Sequence, residues 1–456
     1  MRRKSYKKDN ATDEERMGTA PIPGLIWQIG APMMVSILCN ALYNVVDSIF
    51  VSHIEEDALT ALSLAAPVQN IMSAIGCGIA VGLNAVISKA MGERDAGKVH
   101  DTARASVFLA FAAWIINIIL CLIFAKRYML WQAGGEGVIY EYGIIYLRIV
   151  MLLSLGQMGQ WVFDRFLIAT AKSKLFLITL GVASVVNLIL DPIFIFGYFG
   201  LPEMKTAGAA LATVIGQFCG AAAGIVINKK WNRAIPVVFF GKVNWSRVGD
   251  ILKIGIPTFI MQSVVSMSGI VMNTILQVFS YTAVAVMGIC VRLSSLATIP
   301  INGINCGLIP IIAYNYGAGK KERIIESIRV VLRYDFILMG VVWGLLTLFA
   351  SPILVLFDAS PEMLAIGVPA VRIFAVIYFL STVGFVFATV FQALGRGDYS
   401  MWLTITRQVV LPILLAFIFT KTMGMLPLVW VAYVLSELIS MPMSIVLMKK
   451  ILRVIL

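Results

Sequence analysis

The stretch KLFLITLGVASVVNLILDPIFIFGY, Lys174 to Tyr198, is apolar almost throughout and holds one acid, Asp191. A helix of this length rises far enough, at 1.5 Å per residue, to cross a hydrocarbon layer about 30 Å thick. A carboxylate inside such a layer costs about 3 kcal/mol on insertion scales, so it is normally kept to bind or carry something. Asp47 lies in a second apolar run of this kind, and each of the two acids follows an asparagine, Asn44 or Asn187, by one helical turn. The pattern predicts an ion or proton site inside a membrane.

Composition supports a membrane over a soluble core. Apolar residues make up 60% of the 456, charged residues 13%, and the mean hydropathy is +0.91, against roughly half apolar and a quarter charged in soluble domains. About twelve spans can be drawn, near 25–51, 59–91, 103–125, 139–170, 174–198, 208–228, 251–279, 283–315, 324–351, 364–393, 399–420 and 426–448. The fold class is therefore an all-α integral membrane protein.

The net charge of +12 follows the membrane rather than nucleic acid, because its cations cluster in alternate loops. Arg2, Arg3, Lys4, Lys7, Lys8 and Arg16 precede span one; Lys89, Arg94 and Lys98 follow span two; Lys320, Lys321 and Arg323 follow span eight. The intervening loops are nearly free of Lys and Arg. By the positive-inside rule both termini are expected in the cytoplasm, which requires an even number of spans. The first sixteen residues lack the apolar stretch and small-residue site of a cleaved signal, so span one is expected to direct insertion. The six cysteines fall in apolar spans without CxxC spacing and read as small hydrophobes, with no disulfide or metal role expected.

A repeat organises the chain. A shift of 225 positions lays Ile29, Gly30 and Pro32 on Ile254, Gly255 and Pro257, Gly82 and Leu83 on Gly307 and Leu308, and Gly92 on Gly317. Further along the shift relaxes to about 220, aligning Pro192 with Pro412. This divides the chain into a tail (1–22), a first lobe (23–228), a linker (229–250), a second lobe (251–448) and a second tail (449–456). Six spans per half make the repeats parallel, an architecture that transporters use for alternating access. Spans seven, eight, ten and eleven contain no Asp or Glu, so the ion chemistry is expected in the first half.

Helical rise places Asp47 about 33 Å and Asp191 about 25 Å along their spans, toward the outer leaflet. Asn40, Asn44 and Asp47 share one helix face, Asn187 and Asp191 another, and Thr213 in span six reaches a similar depth. Pro192 removes an amide donor and permits a bend beside Asp191.

The stretches LYNVVDSIFVS (Leu42 to Ser52), NLILDPIFIFG (Asn187 to Gly197), GIPTFIMQ (Gly255 to Gln262) and GLIPIIAYNYG (Gly307 to Gly317) resemble the multidrug and toxic compound extrusion (MATE) family, most nearly its MepA-type branch. The resemblance runs from about Pro23 to Lys450. It implies two six-helix bundles in a V that export lipophilic, often cationic compounds, antibiotics among them, in exchange for H⁺ or Na⁺. It further implies a monomer in the plasma membrane, with small-molecule drugs and the lipid bilayer as partners and no cofactor beyond the coupling ion.

Carried over by position, the family's first-lobe cation site matches Asp47, Asn187, Asp191 and Thr213. Asn40 takes a position where relatives often have a polar amide, and Asp164 one where some have asparagine. The acidic second-lobe site of one branch has no counterpart in spans seven and ten. Two couplings are open: a carboxyl that takes and releases a proton, or Na⁺ held at Asp47, Asp191 and Asn187 by hard oxygens.

For substrate, Met33, Met34, Met72, Met261, Met267, Met272, Met287 and Phe259 are candidates for an adaptable apolar cavity, with Gln262, Asn273, Arg292 and Arg372 as polar additions. Arg407 and Glu437 fall at similar depth and are expected to form a structural ion pair, while Arg148 has no evident partner. The rival function is a flippase for lipid-linked oligosaccharide, which needs several cavity cations. An enzyme is not expected, since the only histidines are His53 and His100.

Overall fold

A computed structural model describes residues 13–52, 55–239, 241–357 and 359–455, with side chains described at all of these except 13, 14, 43–45, 47–49, 51, 52, 56 and 455. In the first half α1 (Asp13–Thr19) precedes α2 (Ile22–Ser52), α3 (Glu56–Gly92) and α4 (Ala96–Leu120), which runs through one π-helical turn (Cys121–Ala125) into α5 (Lys126–Gln132). Next come α6 (Val138–Leu152) and α7 (Leu155–Ala169), bent by 47° at their junction, then α8 (Ser173–Phe196) and α9 (Lys205–Trp231).

The second half repeats the plan. It comprises α10 (Trp245–Gln277), α11 (Tyr281–Ala297) and α12 (Ile299–Gly317) bent by 45°, α13 (Lys321–Leu348) and the short α14 (Ala350–Val355). α15 (Pro361–Ala393) follows, then α16 (Gly397–Ile405), a π-turn (Thr406–Val410), α17 (Leu411–Thr422) and α18 (Leu426–Ile455). Among the described residues ten helices are long and apolar enough to cross a membrane, and counting each bent pair as one span gives up to twelve, the number drawn from hydropathy.

In lipid every backbone group needs an internal partner, which leaves helices as the open solution. Hydroxyls within the spans bond back to the preceding turn, as Ser36 Oγ does to the Pro32 carbonyl at 2.7 Å. Helix starts carry side-chain caps: Asp95 accepts from Lys98 N, Ser280 from Ala283 N and Ser360 from Met363 N. At the opposite end of the molecule from the termini, Lys205 Nζ donates to Glu55 Oε1 at 2.7 Å and to Tyr142 Oη at 2.8 Å. That hydrogen bond from Lys205 holds the Glu55 carboxyl below its ordinary value.

The charged stretches at the edges of the lobes are more structured than their composition suggests. Residues 1–22 were expected as a tail, yet α1 docks Met17 beneath α12 with no exposed surface. Its last carbonyls are satisfied by the second half: Arg323 Nη2 donates to Met17 O (3.1 Å) and Ala20 O (2.7 Å), and Lys320 Nζ to Gly18 O (2.8 Å). Cations complement a helix C-terminus in this way. In the linker Ile235 is buried against the first-half core, and α18 continues beyond 448 with Ile451 buried.

The bundles meet at the end that carries the termini, and glycine makes the approach possible. Gly78 and Gly82 of α3 lie against the backbone of Gly255 and Ile251 of α10, and Gly30 of α2 against Ile304 of α12. Gly92 and Gly317 form a reciprocal contact, in which a Cβ on either would overlap backbone of the other helix, at Tyr314 O or at Lys89 O. α11, which carries the eighth span to the far end, packs on α10, α12 and α15 of its own bundle. The molecule is closed at the termini end.

Gly317→Val is expected to destabilise this closed state by about 1 to 3 kcal/mol, the usual cost of overpacking, or roughly 5- to 150-fold in population. Spin labels at Arg94→Cys, exposed in the turn after α3, and at Lys321→Cys, exposed at the start of α13, should then report a longer mean distance. An unchanged distance distribution would refute the role given to the glycine pair.

Candidate functional site

α8 and α9 lie alongside each other through most of their length, and glycine again sets the spacing. A Cβ at Gly216 would sit 2.7 Å from Ala183 O and 3.0 Å from Asn187 Cβ. This close approach brings Thr213, one turn before Gly216, onto the face of α8 that holds Asn187. Asn187 Nδ2 donates to Asp191 Oδ1 at 3.4 Å along its own helix and to Thr213 Oγ1 at 3.3 Å across to α9. Asp191 has no exposed surface and Asn187 is 2% exposed.

The three side chains expected from spacing and resemblance therefore converge. α8 continues past Asp191 and Pro192 to Phe196, where Gly197 at φ 72° ends it, so the acid lies within a helix rather than at a loop. Asn187 Oδ1 is buried without a donor among the described residues. The cluster supplies a carboxylate, a hydroxyl and an amide oxygen, the hard donor types that hold a proton or a small cation, with the amide here turning its nitrogen toward the other two. α2 packs along α8 and carries Asn44 and Asp47, whose side chains lie outside the described residues. Asn40, further back on α2, is exposed.

Asp164 belongs elsewhere. α7 and α8 are consecutive antiparallel helices, so Asp164, near the end of α7, meets the beginning of α8, where Thr179 Oγ1 donates to its Oδ1. Twelve residues separate Thr179 from Asp191, about 18 Å by helical rise. The expectation of a third carboxylate in one cluster is corrected: Asp164 is a separate buried acid toward the termini end.

The candidates for a substrate cavity divide. Met287 is 6% exposed within the core of the second bundle, and Met272, Met33 and Met72 are likewise buried, so these four are packing. Gln262 is exposed on α10 with its amide 3.8 Å from Cys77 Sγ, while Met261 and Asn273 are half-buried. Arg292, Arg372 and Arg148 are exposed, and Arg372 Nε donates to Thr347 O. The expected pair of Arg407 and Glu437 is present, at 3.0 Å. Two buried charges escaped the reading of the sequence. Arg165, stacked over Trp161 at 5.4 Å, follows Asp164 and reads as its neighbour; Asp335, two residues after Arg333, reads as part of a charged helix end.

The MatE family model matches residues 32–193 and 257–418, an offset of 225 at both ends. The chain is 27% identical over 403 residues to the multidrug export protein MepA of Staphylococcus haemolyticus, covering 88% of this chain and 87% of that protein. To MepA of Staphylococcus aureus strain MSSA476 it is 26% identical over 414 residues, 90% of each. In fold it is similar to the outward-facing conformation of a multidrug resistance MATE family transporter of the MOP superfamily, with a TM-score of 0.88 at 22% identity over 98% of this chain and 99% of that one. With the twofold match spanning most of the chain and the helical architecture in agreement, this multi-pass membrane protein belongs to the MatE family.

Proposed function

We propose that this chain is a secondary active antiporter of the plasma membrane that exports lipophilic or cationic drugs in exchange for H⁺ or Na⁺, with its coupling site in the first bundle. The observation that carries the proposal is Asp191, buried in an apolar span and hydrogen-bonded to Asn187, which also reaches Thr213. MepA proteins are named as multidrug exporters, and the parallel repeat suits alternating access between two bundles. The basic loops support a cytoplasmic location for both termini; on that reading the closed end is the cytoplasmic one and the conformation is open outward. The chain then works as a monomer in the bilayer.

The test is ethidium efflux from proteoliposomes under a pH gradient and a sodium gradient imposed separately. Efflux well above the ungradiented leak with one gradient names the coupling ion, since 100 mV contributes about 2.3 kcal/mol per charge moved. Absence of efflux under both would refute drug antiport and favour a flippase for lipid-linked oligosaccharide.

A further inference from the structure

The second bundle, expected to lack ion chemistry, contains a carboxyl with no exposed surface: Asp335 of α13. α13 begins at Lys321, so Asp335 is about 21 Å along it, and Asn305 of α12 is about 18 Å from Gly317 at that helix's end. Both are mid-span by this measure. Asn305 Nδ2 donates to Asp335 Oδ2 at 3.2 Å and to Ile301 O at 2.9 Å, which orients the amide with its nitrogen toward the acid.

What remains on the two side chains is one oxygen each, Asp335 Oδ1 and Asn305 Oδ1, and both are buried with no donor among the described residues. Two acceptors left together in a dry interior are costly, and a single proton on Asp335 Oδ1 converts the arrangement into a matched one. The carboxyl then both accepts from the amide N–H and offers an O–H to the amide oxygen.

The surrounding charges do not substitute for that proton. No Lys, Arg or His among the described residues lies within ion-pair distance of Asp335. On its own helix Arg329 and Arg333 are exposed. On α15, Arg372 is occupied with Thr347 O, Tyr378 Oη donates to Cys290 O, and Glu362 stands in the first turn. On α12 the titratable groups are Cys306, next to Asn305, and Tyr314 and Tyr316 near its end. α14 has none, and of those on α2 Tyr43 and Asp47 have side chains outside the described residues, leaving Cys39.

We infer that Asp335 and Asn305 form a second proton-binding site, in the second bundle, holding one proton across a carboxyl–amide pair in this conformation, which is closed at the termini end. Its link to export rests on the proposed antiport; its occupancy by a proton does not. Infrared spectroscopy of the purified protein in lipid nanodiscs tests it without transport, through the carbonyl stretch of a protonated carboxyl at neutral pH.

The band is expected in the wild type and in Asp191→Asn, and lost in Asp335→Asn, whose neutral amide preserves the shape of the site. In Asn305→Leu the same band should move in frequency, because its hydrogen-bond acceptor is gone. An unchanged band in Asp335→Asn would overturn the site, and an unmoved band in Asn305→Leu would overturn the pairing. Loss of the band in Asp335→Asn with gradient-driven efflux absent even from the wild type would retain the proton site while removing antiport.

Discussion

Asp191→Asn is expected to remove gradient-driven ethidium efflux while leaving the protein folded and inserted. The substitution keeps the shape of the side chain, so Asn187 Nδ2 retains an oxygen to donate to in place of Asp191 Oδ1. What disappears is the negative charge, and with it the one group in the α8 and α9 cluster that distinguishes a bound cation from none. A hydrogen bond or contact to a charged partner is worth about 1.5 to 3 kcal/mol, so cation affinity should fall roughly 10- to 150-fold. Stability should hold or rise, because a neutral amide is easier to bury at this depth than a carboxylate. Proteoliposome efflux and thermal unfolding of the same preparation separate the two effects. Efflux at wild-type rate would remove Asp191 from the coupling site, and a collapse of stability would make its role structural.

The architecture was largely legible because a membrane imposes a simple code. Apolar runs of fixed length mark spans, alternate basic loops mark a side, and a constant offset of 225 marks the repeat. Asn187 and Asp191 could be placed on one face because the spacing lies within one helix. Thr213 was harder, since it depends on two helices meeting, and depth along the spans together with resemblance supplied it. Contacts across helices were otherwise hidden. Asp164 entered by resemblance, at a position where some relatives have asparagine, yet the antiparallel course of α7 and α8 carries it to Thr179. Met287 and Met272 looked adaptable because methionine serves cavities and cores alike. Gly82, Gly92, Gly307 and Gly317 stood out as repeat markers, but their physical task, letting backbones of opposite bundles touch, required both surfaces to be seen.

Arg407→Ala is the change expected to cost most in stability. A π-turn over Thr406–Val410 carries Arg407, and Gly384 leaves room for its guanidinium, since a Cβ there would lie 2.8 Å from Nε. Nη1 donates to Glu437 Oε1 at 3.0 Å, to Oε2 at 3.3 Å and to Ser381 O at 3.2 Å, and the guanidinium stacks on Phe385 at 4.5 Å. Arg407 is 2% exposed and Glu437 6%, so neither charge has water to fall back on. Removing one partner of a buried pair leaves the other uncompensated, at about 3 to 5 kcal/mol, whereas replacing both by apolar residues of similar volume is often neutral or stabilising. Arg407→Ala should therefore lower the unfolding midpoint far more than the double change Arg407→Met with Glu437→Leu. Single and double variants that fall equally would place the cost in lost packing against Phe385 rather than in an orphaned carboxylate. A double variant that keeps its stability yet loses efflux would move this pair from the scaffold into the transport cycle.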